Sequence, residues 1–344
     1  MNTEENTKIF YLKKILVYIA VFFICFGLRI YKIELMEYQS DEAIIFNISQ
    51  NIAELNYLAV KGMPSSLNFH TSPFFNYIIS IPLFIFPDNQ IIVVSFIILL
   101  NSIGACILFY LFRNIGLPFV SSLLFVIFYI FLPENILFSR KIWPQSSIQF
   151  FVFLYLLAVL CFFKKNGLFN FLLLCAAYCF LINIHISGFF IWPGFIYLTY
   201  YFFKNNAISL KNIFFPFGLI LVFNLFYINL FINEWAIFVN SVKPRIDFIP
   251  ADIVLNFFDL FEIFDFKKIV LGVHFIIKKF PAAVLFLVFI TGFIFSNFSL
   301  KKHRHPNEKE FFFSDKLVYF KNFLIISFLS PFFLFLIFKI KTYS

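Results

Sequence analysis

Chemistry in this chain is confined to a few short polar stretches. Ser40-Asp41-Glu42 sets two adjacent carboxylates in front of Ala43-Ile44-Ile45-Phe46. A carboxylate held at a helix start can serve as a base or metal ligand for a polar acceptor. It can equally cap the helix and answer its dipole, worth roughly 1 kcal/mol. Phe69-His70-Thr71-Ser72-Pro73-Phe74 follows, so His70 is either a surface histidine reaching water or a companion of Asp41. The stretch from Pro133 to Gln145 holds Ser139-Arg140-Lys141-Ile142-Trp143. An Arg fork beside a Lys point charge suits a phosphate, although two interfacial cations and a Trp also anchor many helices. Asn183-Ile184-His185-Ile186-Ser187-Gly188 closes a later apolar run, where a lone His is more often structural. Arg29, Glu134, Lys243, Arg245 and Asp247 have weaker cases.

These residues must be positioned by an apolar framework. Of 344 residues, 62% are hydrophobic and only 13% charged, with mean hydropathy +0.91, which excludes a water-soluble globular enzyme. The excess is largely aromatic, with 61 Phe against 10 Gly, and Phe has no polar handle to satisfy in water. The net charge of +9 does not indicate nucleic acid, because Lys and Arg sit at the ends of apolar runs and form no long basic face. Cys25, Cys106, Cys161, Cys175 and Cys179 lie inside those runs and read as small buried hydrophobes, without disulfide or metal spacing.

A hydrocarbon core about 30 Å thick needs roughly 20 apolar residues per helix. The runs at 15–31, 91–112, 117–132, 148–163, 168–184, 189–203, 213–231, 282–295 and 323–338 therefore predict an all-α polytopic membrane protein of about nine spans. The first run follows Lys8, Lys13 and Lys14, and no small-residue cleavage site comes after it, so it is expected to stay as a span with a cytoplasmic N-terminus. A shorter run over 72–86 is broken by Pro73 and Pro82, and reads as a helix at the outer interface. The pattern at Ile44, Ile45, Ile48, Ile52 and Leu55 predicts a second interfacial helix, lying on the membrane.

This arrangement puts the connections bearing Arg113, Lys164, Lys165, Lys204, Lys211 and the basic stretch 301–309 inside, and the acidic stretch 34–54 outside. Arg140-Lys141 is then stranded on the outer side. A basic pair that disobeys the orientation rule is a functional candidate, since orientation does not explain it. The same parity places His185 and the stretch 233–268 outside.

In order, these elements resemble the GT-C superfamily of polyprenyl-phosphate-sugar-dependent glycosyltransferases, near the aminoarabinose transferases of lipid A and the protein O-mannosyltransferases. The likeness rests on Leu28-Arg29-Ile30-Tyr31 ending the first span and Asp41-Glu42 before an amphipathic helix. It continues with His70-Thr71-Ser72-Pro73, with Pro133 to Arg140, and with His185-Ile186-Ser187. It covers residues 10–205, which would form a catalytic module with its first outer loop at 32–90. Residues 206–344 would add spans and an outer loop at 233–268 within one domain, 1–344, with no soluble C-terminal domain.

The resemblance implies an inverting sugar transfer from a polyprenyl phosphate to a glycan, lipid or protein acceptor on the outer face. Asp41, with Glu42, would act as base or position the acceptor, and Arg140 and Lys141 would hold the donor phosphate. His70, His185, Gln145 and Arg29 are further site candidates. Gln145 stands where relatives carry an acidic residue; Gln is a poor metal ligand, which weakens the case for a divalent metal between the two loops while leaving one possible, and puts more of the chemistry on Asp41. The composition bias toward Phe, Ile, Lys and Asn points to a bacterial cytoplasmic membrane. Two alternatives stay open at this point: a lipid-linked sugar flippase or transporter, and a non-catalytic membrane assembly subunit.

Overall fold

Apolar runs become the helices, and Pro, Gly and Asn mark many of their ends, although the run expected to break at Pro82 forms one helix through it, Phe74–Ile85. The computed structural model describes residues 3–64 and 70–205, together with 216, 218, 220–222, 224, 225, 246–248, 320, 323, 324, 326, 327 and 338–340. Helix α1 spans Thr3–Ile30 and is followed by a 3-10 turn at Ile33–Leu35, then α2 (Ser40–Ala53) and α3 (Phe74–Ile85). Next come α4 (Gln90–Asn114), α5 (Phe119–Phe131), the short α6 (Pro133–Phe138), α7 (Pro144–Lys164) and α8 (Leu168–Ile184). A 3-10 stretch at Ile186–Ile191 leads into α9 (Trp192–Asn205). Asn89 caps α4 by accepting from Ile92 N at 3.1 Å. Pro133 and Pro144 occupy first-turn positions in α6 and α7, where the missing N–H costs nothing.

By contacts the chain divides into two units, Met1–Phe189 with Thr199–Trp235, and Phe190–Leu198 with Ala236–Ser344. In the first, α4 is the central helix, packed on α1, α3, α5 and α7, while α7 packs on α8 and α2 on α3. One core cluster joins α1, α4 and α5 through Val21, Cys25, Ala105, Phe109, Val126 and Tyr129. Phenylalanine also fills the interior beside α7 and α8, where Phe171 stacks on Phe202 with ring centres 4.1 Å apart. In the second unit, β1 (Ile246–Phe248) pairs antiparallel with β2 (Phe338–Ile340), a three-residue ribbon in a chain otherwise helical where described. Phe338, which ends an expected apolar span, is the first residue of β2. The spans expected at 213–231 and 282–295 and the outer loop at 233–268 lie largely or wholly outside the described residues.

Among the described residues, α4 and α7 are long and apolar enough to cross a membrane. At about 1.5 Å per residue, their 25 and 21 residues reach about 37 and 31 Å. Helix α3, with 12 residues, reaches only about 18 Å, short of a 30 Å core. Large apolar side chains point outward from these helices, including Val120 and Leu124 on α5, Phe84 and Ile85 on α3, and Phe169 on α8. An apolar surface of that extent suits lipid or a partner better than water.

Helix α2 forms at the expected place but turns a different face inward. Its buried residues are Glu42, Ile45, Phe46, Ser49 and Ile52, whereas Ile44 and Leu55 are exposed. The helix stops at Ala53, and Leu55 takes a left-handed backbone with φ 60°, so it cannot continue the stripe.

Candidate functional site

The helices run so that basic and polar connections separate. Lys164 Nζ donates to Asn114 Oδ1 at 2.5 Å, and Arg113 donates to the Leu117 carbonyl, so the α4–α5 and α7–α8 connections share one end. Tyr18 of α1 lies against Phe109 in the half of α4 nearer that end. Toward the opposite end, Arg29 of α1 reaches the Ile130 carbonyl of α5, and Asn101, midway along α4, donates to the Ser146 carbonyl in the first turn of α7 at 2.8 Å. Asp41, Glu42, Arg140, Lys141 and Gln145 belong to segments at this second end.

Glu42 and Asp41 are adjacent but differently placed. Glu42 is fully buried: one oxygen accepts from Gln39 N at 2.9 Å, closing its own helix start. The other accepts from Ile142 N at 2.8 Å, across 100 positions of sequence. Among the described residues no Lys or Arg pairs with it, so two backbone N–H groups satisfy the charge. A carboxylate so engaged ties the start of α2 to the 139–143 loop. Asp41 is exposed, with no hydrogen bond among the described residues. Nearby, burial and then the Glu42 charge push the Tyr38 hydroxyl above its ordinary pKa, which keeps it a proton donor at neutral pH.

Arg140 is likewise committed to the fold. Its Nε donates to the Arg29 carbonyl at 2.8 Å, and its Nη2 to the Tyr31 and Leu28 carbonyls at 2.8 and 3.2 Å. These are the orphan carbonyls that end α1, and a cation there also meets the negative end of the helix dipole. Lys141 instead sets its Nζ 4.8 Å from the centre of the Trp143 ring. Trp143 Nε1 is buried without a hydrogen-bond partner among the described residues. Arg29 is fully buried, and its Nη1 donates to Cys25 Sγ at 2.9 Å and to the Cys25 and Ile130 carbonyls at 3.3 and 3.4 Å. Among the described residues its Nε and Nη2 have no hydrogen-bond partner, and its Cζ lies 6.0 Å from the centre of the Tyr129 ring.

The two histidines lie around a second junction. Residues 62–64 pair with 70–71 through Gly62 N to Thr71 O at 2.8 Å and Thr71 N to Met63 O at 2.9 Å, with His70 bridged to Pro64. Gly62 is required there, since a Cβ would meet the Ser72 carbonyl at 2.7 Å. Ser72 Oγ then donates to Asn183 Oδ1 at 3.0 Å, two residues from each histidine. His185 Nδ1 lies 2.7 Å from Ser187 Oγ and 3.2 Å from Ser187 N, so the 3-10 turn after α8 holds the ring. Burial lowers the His185 pKa, favouring the neutral ring.

The structure thus brings the Asp41-Glu42 and Arg140-Lys141 segments together directly, through Glu42 and Ile142. The His70 and His185 segments join this pair through packed helices: α2 on α3, where Asn76 Nδ2 donates to the Ile45 carbonyl at 3.1 Å and to Ser49 Oγ at 3.2 Å, and α7 on α8. Gln145 is exposed in the first turn of α7. Sequence reasoning passed over a closed ring beside this end: Tyr129 OH donates to Gln149 Oε1 at 2.6 Å, Gln149 Nε2 to Asn135 Oδ1 at 2.7 Å, and Asn135 Nδ2 to the Tyr129 carbonyl at 2.9 Å. The spacing of Asn135 and Gln149 on either side of the Arg140-Lys141 loop was the available signal. Among the described residues no three His, Cys, Asp or Glu gather as ligands for a metal ion. No protein-family model matches this sequence, and no curated protein matches it.

Proposed function

We propose that the chain is a polytopic membrane glycosyltransferase of GT-C type, with about nine spans, moving a sugar from a polyprenyl phosphate to an envelope acceptor. The observation that carries this reading is the Glu42–Ile142 hydrogen bond, which sets an exposed carboxylate segment against a cationic one at the end away from Arg113 and Lys164. Under the positive-inside rule the Arg113 and Lys164 end is cytoplasmic, so the site faces outward from a bacterial cytoplasmic membrane. The outward apolar faces of α3, α5 and α8 would meet lipid, and the polyprenyl tail would remain there while its phosphosugar head reaches the polar end.

In this mechanism Asp41 takes the proton of the acceptor hydroxyl, and the freed oxygen attacks the anomeric carbon. The bond from that carbon to the phosphate oxygen breaks, and the phosphate leaves with the electron pair on the opposite face, inverting the centre. Cations at the 139–143 loop offset the charge that grows on the leaving phosphate. Mass analysis of envelope glycans from cells with and without the gene tests the reading: loss of one sugar addition supports it, and an unchanged glycan profile contradicts it.

A further inference from the structure

The Arg140-Lys141 pair divides its work. We infer that Arg140 and Glu42 are positioning residues that fasten the 139–143 loop, and that Lys141 is the cation the loop presents to an anionic phosphate ligand. The inference rests on the glycosyltransferase reading for the identity of that ligand.

Arg140 spends its Nε and Nη2 hydrogens on the Arg29, Leu28 and Tyr31 carbonyls. That edge of a guanidinium is one of the two it can offer a phosphate as a fork, and here α1 occupies it. Two residues on, Ile142 is fully buried and its N–H is held by the Glu42 carboxylate. Ser139, just before, is buried and donates to the Ile136 carbonyl at 2.8 Å. Lys141 therefore sits between fixed neighbours on a loop tied to α1 on one side and α2 on the other. Its ammonium rests over Trp143, and among the described residues no carboxylate pairs with it. A flexible stem with three rotatable donors can leave the ring for a phosphate at little cost, which a triply bonded Arg140 cannot.

Trp143 reports on both halves of the inference. In protein carrying Trp192→Phe and Trp235→Phe it is the only remaining Trp. Reconstituted in lipid nanodiscs, that protein is exposed to acrylamide without ligand, and separately to farnesyl phosphate with farnesol as the uncharged control. Arg140→Gln and Glu42→Gln should each raise acrylamide quenching about twofold with unchanged helical circular dichroism, because the loop loses an anchor. Lys141→Met should leave quenching near the parent value but abolish the emission response to farnesyl phosphate. Arg140→Lys covers the case in which Arg140→Gln does not fold: quenching should rise while the phosphate response persists. Parent-like quenching in the Arg140 and Glu42 variants, with the phosphate response lost in Arg140→Lys, would overturn the inference and make Arg140 the ligand. No response of the parent protein to farnesyl phosphate would sink the donor reading and Lys141's part in it, while the ligand-free quenching still judges the two anchors.

Discussion

The Glu42 carboxylate accepts from the Ile142 backbone N–H at 2.8 Å while its other oxygen accepts from Gln39 N at 2.9 Å. One buried side chain therefore closes the start of α2 and holds a loop 100 residues away. Hydrogen bonds to a charged group contribute about 1.5–3 kcal/mol each, and a buried N–H left without a partner adds to the cost of losing one. Glu42→Ala should lower stability by about 3 kcal/mol, and Glu42→Gln by less, since the amide keeps one acceptor oxygen. Thermal unfolding in detergent checks this; an unshifted Tm in Glu42→Ala would contradict it.

Arg29 carries the opposite expectation. Its Nη1 bonds to oxygen are long, at 3.3 and 3.4 Å, and among the described residues its Nε and Nη2 have none. A buried cation so poorly satisfied adds little net stability, and an apolar residue of similar length can replace such a group at small cost. Arg29→Met should change unfolding stability by less than about 1 kcal/mol. A Tm collapse in that variant would show that the guanidinium holds α1 to α5.

Much of the helical framework was legible because it needs only uninterrupted apolar runs. Leu168–Ile184 forms as expected, and α4 and α7 exceed their expected ranges by a few residues at most. The faces were not legible. Successive residues on a helix point about 100° apart, so of Asp41 and Glu42 only one can enter the bundle, and register decides which. The buried position of Ser49 was hidden for a related reason: its Oγ donates to the Ile45 carbonyl at 2.7 Å and accepts from Asn76, a pairing that hydrophobic periodicity does not register. The reach of Arg140 to the end of α1, 109 to 112 positions away, was not legible either, because it is a tertiary contact.

His185 supplies a pH signature. Its pKa in the folded chain lies below the ordinary 6.5 because burial penalises the charged ring. The unfolded chain then binds more protons than the folded one between the two values. The stabilising contribution of the neutral ring is complete above about pH 6.5 and is lost as pH falls through the lowered folded value. Wild-type Tm should drop between pH 7.5 and 5 by more than that of His185→Gln; equal drops in the two proteins would remove His185 from this account.

The central claim is sugar transfer with Asp41 as base. Its most direct test is transfer from a polyprenyl-phosphate sugar by the purified protein in nanodiscs, comparing wild type with Asp41→Asn. Asn cannot take the acceptor proton, and loss of general-base catalysis should slow transfer by about 10²–10⁴-fold. Helical circular dichroism and membrane insertion should stay unchanged, because Asp41 is exposed and makes no hydrogen bond among the described residues. Wild-type rates in Asp41→Asn, or no transfer by the wild-type protein from any polyprenyl-phosphate sugar offered, would contradict it.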